Sequence, residues 1–358
     1  MKLLRKIRNI LIIVLLVLIV ITAAVAIFNP SISTDSLTPK ENVSVAVTGD
    51  VMFARNMPGV LSMDSSPFEG VSDVTSNVNL LLINFENAAT ASENAVKGDV
   101  PLKCDPSYVP LAKANNITVA ALANNHAFDY GIQGMQDTKS NLESAGITPI
   151  GAGNSESEAH QAVVKEISGR KITILNYMDS ENFAEYSQEV MPYANGSSPG
   201  YSAYNSADAQ KQISENNDSD IIIAYMHYGN EYSNSPNENQ IKMSHELIDY
   251  GADVVIGSHP HVTQGIEMYK GKPIFYSLGN FIFDQSNEAT HTAYFVKIGL
   301  SGNSGECTVY PIHISNYLPQ HMSPEDGTSL LSGLSPNCEE MKITENGTGI
   351  ISFNLTDN

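Results

Sequence analysis

Five apolar runs of strand length occur along the chain, and each ends in a side chain that can bind a metal ion or carry a proton. The runs are VSVAVTGD (43–50), LLLINFE (80–86), ITVAALANNH (117–126), IIIAYMHYG (221–229) and ADVVIGSHPH (252–261). Segments with helical spacing of apolar residues lie between them, at 131–145, 205–217 and 236–250. Because strands and helices alternate, we predict an α/β fold with a substantial sheet.

The C-terminal third predicts smaller elements around this sheet. IEMYKGKPIFYSLGN (266–280) is typical of a hairpin that turns at Lys270-Gly271, and shorter alternating strands are expected from about 293. A stretch rich in Ser, Pro and Gly near 315–337 predicts a loop. We therefore assign 43–314 to the main domain and 315–358 to a C-terminal extension with a loop and short strands.

An uncharged apolar run of 19 residues, 10–28, precedes the main domain. It is long enough to cross a bilayer, and the basic residues in 1–9 favour a cytoplasmic start with the body outside the cell. Ala24-Val25-Ala26 also fits a signal-peptidase site, so the alternative is cleavage after Ala26 and a secreted body. We predict a cytoplasmic basic segment (1–9), an uncleaved single-pass anchor (10–28) and a polar linker (29–42).

The charge balance of the chain excludes one large class of partner. Lys and Arg total 19 against 39 Asp and Glu, which gives a formal net charge of −20. Nucleic-acid binding requires a basic surface, so no nucleic-acid partner is expected. An acidic body also repels a polyanionic polymer unless bound cations lie between the two.

The three cysteines, Cys104, Cys307 and Cys338, have no paired spacing. They predict neither a disulfide framework nor a thiolate zinc site, although one disulfide with one free thiol fits the count. The motifs of other enzyme classes are also missing from the sequence: it contains no G-x-S-x-G elbow, no P-loop and no G-x-G-x-x-G after a strand.

The polar residues at the strand ends predict a metal site. Ligands bind beyond the carboxyl ends of strands in open α/β sheets, and carboxylates, imidazoles and amide oxygens can hold two divalent cations. Each residue alone has a structural explanation, such as a helix cap for Asp50 or a core position for His227. Because such residues occur at all five strand ends, we favour a shared metal site over five separate structural roles. To this site we assign Asp50, Glu86, Asn125, His126, His227, His259 and His261, with Asn84 as a further candidate.

Six sequence blocks, in one order, resemble the CapA/PgsA family of poly-γ-glutamate synthesis (capsule biosynthesis) proteins. The blocks are TGDVM (48–52), NFENAAT (84–90), ANNHAFDYGIQGM (123–135), MHYGNEY (226–232), GSHPHVTQGIE (257–267) and YSLGNFIFDQ (276–285). That family is similar to calcineurin-like metallophosphoesterases, which implies a four-layer α/β/β/α sandwich. An N-terminal membrane anchor with an external body is also the arrangement that the family shows.

The resemblance implies roles for individual residues. Asp50 resembles the metal aspartate of the first block, and Glu86 stands at the position of the bridging aspartate. Asn125 resembles an asparagine ligand, and His126 resembles the histidine that contacts substrate and protonates the leaving group. His227 and His259 resemble ligands of one metal ion and His261 a ligand of the other, while Asn280 and Asp284 belong to a block peculiar to the family and have no assigned role.

Three positions depart from these patterns. Met52 stands where the phosphoesterase motif D-x-H has its histidine, so one metal site lacks a ligand. The second phosphoesterase block, G-D-x-x-D, is replaced by N-F-E at 84–86. Ser258 occupies a position where some family members have a histidine before H-P-H.

The resemblance implies a membrane-anchored extracellular protein of poly-γ-glutamate or capsule-like polymer synthesis or export. Its expected cofactor is one or two divalent ions, for which Mn, Fe and Zn suit the ligands equally. Its expected partners are the membrane, an anionic polymer and a membrane synthase complex. If the site is catalytic, it hydrolyses an amide or a phosphoester with His126 as general acid. Two alternatives stay open: a non-enzymatic accessory subunit that couples the synthase to the polymer, and a secreted metallophosphatase.

Overall fold

The computed structural model describes residues 42–61 and 66–355. The predicted anchor at 10–28, the basic segment before it and nearly all of the predicted linker lie outside these ranges. In the part of the chain that is described, no helix is both long and apolar enough to span a membrane.

The described residues form a mixed α/β structure, which confirms the predicted α/β class. The strands are β1 (Val43–Val51), β2 (Leu80–Phe85), β3 (Ala88–Ala89), β4 (Lys103–Cys104), β5 (Val119–Ala121), β6 (Thr148–Ile150), β7 (Ala152–Gly153), β8 (Val163–Ile167), β9 (Arg170–Met178), β10 (Gly200–Tyr201), β11 (Ile221–His227), β12 (Val254–Ser258), β13 (Ile266–Tyr269), β14 (Lys272–Phe275), β15 (Asn280–Ile282), β16 (Thr292–Ser301), β17 (Ser304–Ser315), β18 (Leu318–His321), β19 (Lys342–Ile343) and β20 (Gly349–Asn354). The α-helices are α1 (Ser72–Thr75), α2 (Val109–Ala114), α3 (Gly131–Ser144), α4 (Glu156–Ala159), α5 (Ser206–Glu215), α6 (Glu238–Tyr250) and α7 (Pro324–Leu334).

The larger sheet, sheet I, has β1 near its centre. Its strand order is β19-β20-β17-β16-β1-β2-β5-β6, and β15 and β18 pair with β1 and β17. The neighbouring strands β1, β2, β5 and β6 run parallel to one another, whereas β16, β17 and β20 are antiparallel to their neighbours. The parallel half therefore brings the carboxyl ends of β1, β2 and β5 to one edge of the sheet.

The smaller sheet, sheet II, has the order β13-β14-β12-β11-β9-β8. Its four inner strands, β14, β12, β11 and β9, run parallel, and an antiparallel strand lies at each side. Every residue of β11 is buried, as expected for a parallel strand that is covered on both faces.

The two sheets pack face to face across a shared apolar cluster. Successive side chains of a strand point to opposite faces of its sheet. Val45 of β1 and Ile223 of β11 therefore lie in the shared cluster, whereas Ile222 lies on the opposite face of sheet II. Helix α3 covers the outer face of sheet I through residues such as Met135, and α6 covers the outer face of sheet II through residues such as Leu247. Each fully buried side chain of this size contributes roughly 1.5–3 kcal/mol.

Gly49 determines how closely the next segment approaches the end of β1. A Cβ atom at Gly49 would lie 1.8 Å from the carbonyl oxygen of Gly279, so no larger residue fits there without a shift of the backbone. The backbone N–H of Asp50 donates to that same oxygen at 3.2 Å, and Asp50 lies in register with Asn280 of β15. The close approach thus brings Asn280 next to Asp50.

The three predicted helices and the hairpin are confirmed, but two expectations for the C-terminal third are wrong. β16 and β17 are the two longest strands of the described residues, and 292–301 pairs with 304–313 across a turn at Gly302. The stretch 315–337, predicted as a loop, contains α7. Its Ser323 accepts the Asp326 N–H as an N-cap and Pro324 follows at the first helical position, which is a local start signal that outweighs composition.

Candidate metal centre

The predicted site residues meet where the carboxyl ends of the parallel strands of both sheets face each other. Asp50 near the end of β1 lies in register with Asn84 of β2 in sheet I, and His227 is the last residue of β11 in sheet II. The two sheets are joined directly beside them, because the hydroxyl of Tyr225 donates to the carbonyl oxygen of Thr48 at 2.9 Å. The strand ends of both sheets therefore contribute to one buried group.

The Asn84 amide lies between two carboxylates. Its Nδ2 donates to Asp50 Oδ1 at 2.8 Å and to Glu86 Oε2 at 3.0 Å, while its own oxygen accepts from Asn124 at 2.9 Å. Asp50, Glu86 and His227 each offer a ligand atom, and these three atoms lie within 4.8 Å of one another. This spacing is suitable for a shared metal ion.

Three buried polar atoms in this group have no hydrogen-bond partner among the described residues: Asp50 Oδ2, Glu86 Oε1 and His259 Nδ1. The nearest cationic candidate is His261, whose ring nitrogens lie 3.3 Å from Asp50 Oδ2 and 3.9 Å from Glu86 Oε1. Burial of carboxylate oxygens without partners costs several kcal/mol, so these atoms fit a divalent cation as their missing partner. A donor set of carboxylate oxygens and imidazole nitrogens suits Mn, Fe or Zn.

The two carboxylates differ in their ionisation. Burial acts to raise the pKa of Asp50, but the neighbouring His261 and His227 outweigh it and lower that pKa to about 2. Burial and the adjacent Asp50 charge together raise the pKa of Glu86 well above its ordinary value. Both carboxylates can be ionised together in this buried site only with a compensating positive charge, which a divalent cation would supply.

Two of the three imidazoles contributed from the side of sheet II, those of His227 and His259, are held neutral by their surroundings. Burial lowers the pKa of His227 to about 3, and burial with the nearby histidines lowers the pKa of His259 well below its ordinary value. Burial acts in the same direction on His261, but Asp50 reverses it and the pKa of His261 is raised. Neutral imidazoles have the free nitrogen lone pair that a metal ligand needs.

The segment His259-Pro260-His261 adopts an unusual backbone conformation. Both histidines have positive φ, 98° and 59°, which is uncommon for residues other than glycine. The strained turn points both rings into the group: His261 Nδ1 lies 2.9 Å from Asn280 Oδ1, and the His259 ring lies 4.7 Å from that of His227.

Asn125 and His227, predicted as ligands from different sheets, lie in direct contact. The amide oxygen of Asn125 is 3.0 Å from His227 Nε2, and the other ring nitrogen, Nδ1, lies 3.1 Å from the hydroxyl of Ser258. Ser258 thus contacts a predicted ligand.

His126 makes a close contact that the sequence did not indicate. Its Nδ1 lies 2.6 Å from Oδ2 of Asp129, which stands two residues before the start of α3. Asp129 does not cap this helix, because α3 begins after Tyr130 without a side-chain cap. Asp129 instead binds His126 and the preceding loop, since it accepts the Leu102 N–H at 2.7 Å.

Lys97 lies beside Asp129 of the His126–Asp129 pair and was also not among the predicted site residues. Its side chain is only 5% exposed, and its ammonium group lies 3.2 Å from the carbonyl oxygen of Asn125 and 3.7 Å from Asp129 Oδ1. The same ammonium lies over the ring of Tyr186 at 5.2 Å. It therefore connects the backbone of a predicted ligand to the Asp129 carboxylate.

Phe183 forms an apolar wall against the histidines. Its ring stacks on His227 at 6.1 Å and meets His259 edge-on at 4.8 Å. Beside this wall a small cleft of about 250 Å³ opens to solvent, with the following residues among its lining: Asn125, Phe183, Glu185, Tyr186, Glu231 and His259. The cleft therefore reaches His259 from the surface.

Two predicted positions lie apart from the metal ligands. The carboxylate of Asp284 pairs with Arg55 and accepts the backbone N–H of Asn56 at 3.0 Å, so it binds the loop after β1. Met52, which replaces the histidine of D-x-H, is fully buried in the apolar cluster outside sheet I, where its sulfur accepts the Ala54 N–H at 2.9 Å. The ligand that the D-x-H motif would supply is therefore missing from the group.

The structure brings together nine of the predicted residues: Asp50, Asn84, Glu86, Asn125, His126, His227, His259, His261 and Asn280. Lys97, Asp129 and Phe183 were missed. Asp129 lies three residues after His126 in the ANNHAFDYG block, so its spacing could have indicated a contact. Lys97 and Phe183 lie in loops whose sequences have no signal for their positions.

Comparison with known proteins identifies the family. Residues 44–285 match the family model of the bacterial capsule synthesis protein PGA_cap. The PGA biosynthesis protein CapA of Bacillus subtilis is 33% identical over 77% of this chain and 73% of its own length. The capsule biosynthesis protein CapA of Bacillus anthracis is 31% identical over 81% of this chain and 71% of its own.

A more distant relative has the same kind of name. A probable polyglutamine synthesis accessory protein of Mycobacterium tuberculosis is 29% identical over 68% of each chain. The resemblance drawn from the six sequence blocks is thus confirmed. This chain belongs to the bacterial capsule synthesis family PGA_cap.

Proposed function

We propose that this chain is a membrane-anchored extracellular protein of poly-γ-glutamate or capsule-like polymer synthesis or export, and that its metal centre hydrolyses amide bonds of the polymer. The names of the relatives support the polymer. The observation that carries the hydrolase is the set of buried atoms without partners on Asp50, Glu86 and His259, because such atoms at strand ends fit metal ligands better than core positions.

The proposal includes a four-layer sandwich of the metallophosphoesterase type. Its support is the order of the apolar clusters: helices, sheet I, sheet II and helices again. It also includes an anchor, whose support is the uncharged run 10–28 after the basic segment 1–9. A body outside the cell would meet the polymer where it accumulates.

The proposed ligands of one or two Mn, Fe or Zn ions are Asp50, Glu86, Asn125, His227, His259 and His261. Such ions, when bound, polarise a carbonyl or phosphoryl oxygen and lower the pKa of a water molecule. Asn280 orients His261, and Asn84 holds the two carboxylates together.

His126 is the proposed proton carrier. Contact of its Nδ1 with Asp129 leaves Nε2 to take a proton and to return it to the leaving nitrogen. Lys97 holds Asn125 and Asp129 in place behind this ring. Phe183 excludes water from one side of the histidines, which strengthens the electrostatic interactions there.

Metal analysis of the purified full-length chain, combined with cleavage of γ-glutamyl polymer, tests the proposal. We expect at least one Mn, Fe or Zn ion per chain after dialysis, and loss of both metal and cleavage in the double variant His259→Ala with His261→Ala. The variant Asp284→Asn is the control, because Asp284 binds Arg55 rather than the metal group. A dialysed chain without metal, with polymer production unaffected in cells that carry the double variant, would contradict the catalytic function.

A non-enzymatic accessory subunit that couples a membrane synthase to the polymer is the second candidate. The burial of Met52 away from the ligands favours it, since a centre that lacks a ligand binds its ions less tightly. Complementation of a deletion strain with His126→Ala separates the two functions. Full recovery of polymer yield supports the accessory subunit, and no recovery supports catalysis.

A further inference from the structure

The mouth of the site carries uncompensated negative charge. Glu185 and Glu231 line the cleft beside His259, and both side chains are exposed. Neither forms an ion pair with a lysine or arginine of the described chain. The two cations nearest to the site have other partners, because Lys97 binds Asn125 and Asp129, and Arg55 pairs with Asp284.

Glu185 and Glu231 lie on the path by which a molecule would enter the cleft toward His259. A free polymer carboxylate that enters the cleft would therefore meet two like charges before it reached the centre. Nδ1 of His259, a buried residue that lines the same cleft, has no partner among the described residues, which points to a ligand at the inner end of this path.

The size of the cleft limits what can enter it. A volume of about 250 Å³ is below the range of 300–1,000 Å³ that is usual for pockets holding drug-sized ligands. On one side the cleft is closed by Tyr186, whose ring lies over Lys97 and whose hydroxyl lies 3.5 Å from Asp99. The cleft thus suits the end of a chain rather than an internal segment.

We propose that Glu185 and Glu231 select a substrate that presents a primary ammonium group, so that the centre takes the amino-terminal end of a glutamyl chain. This inference rests on the proposed function and names the part of the polymer on which that site acts. The amino end is the one positively charged group of an otherwise anionic polymer. The backbone amides beside it meet the side-chain amides of Asn182 and Asn230, which also line the cleft. Cleavage there releases terminal residues one at a time.

The test compares two probes that differ in one charge. Binding of a γ-glutamyl trimer with a free amino end, and of the same trimer after N-acetylation, is measured by calorimetry on the full-length chain, loaded with Mn²⁺ or stripped with a chelator. Because an exposed ion pair contributes about 0.2–1 kcal/mol, two carboxylates should make the free amine bind about five- to tenfold more tightly. The preference should shrink as the salt concentration rises.

The double variant Glu185→Gln with Glu231→Gln should bind both probes within about twofold of each other, since its carboxylates are gone. Glu166→Gln is the matched control, because Glu166 is an exposed glutamate on β8 and should leave the preference unchanged. Equal binding of the two probes, tighter binding of the acetylated probe, or binding of neither overturns the inference. Binding of both probes only when Ca²⁺ is added indicates cation bridges to the polymer and overturns it as well.

The outcomes also separate this inference from the function on which it rests. A chain that takes up Mn²⁺ but does not distinguish the probes contradicts only the selection by Glu185 and Glu231. A chain that takes up no Mn²⁺ contradicts the metal centre itself, whatever the probes do.

Discussion

Oδ2 of Asp129 lies 2.6 Å from Nδ1 of His126, and one carboxylate thereby fixes both the imidazole and the loop that ends at Leu102. Burial lowers the pKa of His126, and the Asp129 charge acts in the opposite direction. The Asp129 carboxylate therefore stabilises a protonated ring in a site that otherwise disfavours it.

Asp129→Asn should lower the pKa of His126 further, because the amide keeps an oxygen for the Leu102 N–H but loses the charge that favours the imidazolium. The measurement is an NMR titration of the His126 ring. Asp129→Glu keeps the charge and should therefore restore part of the lost pKa. Asp137→Asn, whose carboxylate on α3 accepts from Thr90 and Gln133 rather than from His126, should leave the His126 pKa unchanged. An identical His126 titration in Asp129→Asn and the parent chain would show that Asp129 acts on the loop alone.

Glu86→Gln should have opposite effects on stability with and without metal. In chelator we expect the free energy of unfolding to rise by about 1–2 kcal/mol, because a buried carboxylate beside Asp50 is replaced by a neutral amide. With Mn²⁺ the stabilisation by bound metal should be reduced or lost. Urea unfolding under both conditions measures the two effects.

The control for this comparison is Asp284→Asn, which breaks the pair with Arg55 at the site margin. It should destabilise both forms equally and keep the full Mn²⁺ effect. If Glu86→Gln behaves like the control, then Glu86 is not a ligand.

The metal-free chain should lose stability as the pH falls below about 6.5. Burial holds the pKa of folded His227 at about 3, against 6.5 for the unfolded chain, so between these values only the unfolded chain binds the proton. One full proton of difference corresponds to about 1.4 kcal/mol per pH unit. The raised pKa of Glu86 acts in the opposite direction above pH 4.5, where the folded chain binds a proton that the unfolded chain releases.

His227→Gln isolates the histidine contribution. In urea unfolding at several pH values, its stability should depend less steeply on pH between 6 and 4, by up to about 1.4 kcal/mol per unit. The exposed His313 provides the control, since His313→Gln should leave the slope of the parent chain unchanged. Parallel curves for His227→Gln and the parent would argue against a neutral buried imidazole.

Gly49→Ala should destabilise the chain by about 2–3 kcal/mol, because the new Cβ would overlap the Gly279 carbonyl and push β15 away from Asp50. Gly59→Ala is the matched control, since nothing lies within 4 Å of a Cβ there, and its effect should stay within about 0.5 kcal/mol. Thermal and urea unfolding compare the two. Equal stability of the two variants would contradict the close approach.

Much of the fold and most of the candidate site could be predicted because their signals are local. An apolar run such as 221–229 identifies a buried strand by itself, and parallel pairing then places its end beside other strand ends. Asp50 and His227 lie in different sheets, but each stands at the end of such a strand, so both could be expected in one site. The turn at Lys270-Gly271 was equally local, since both residues adopt positive φ there.

The residues that could not be predicted depend on contacts between distant loops. Lys97 is a single lysine in a polar loop, and only the folded chain places it against Asn125. Phe183 lies in a short turn whose sequence does not indicate which histidines it will contact. The lengths of β16 and β17 were underestimated for a related reason: they alternate in polarity only in part, and each is stabilised mainly by the other.

The position of β1 inside sheet I also affects how the protein folds. Its Val47 pairs with Val296 of β16, so β1 cannot gain both neighbours until most of the chain has been synthesised. Such distant pairing slows folding, and at usual rates of synthesis β1 waits on the order of tens of seconds for β16. During that time one edge of an apolar strand is open, and unfinished chains are prone to aggregation. Asp50 therefore reaches its final surroundings late, and the yield of correctly folded chains should depend on chaperones that protect the growing chain.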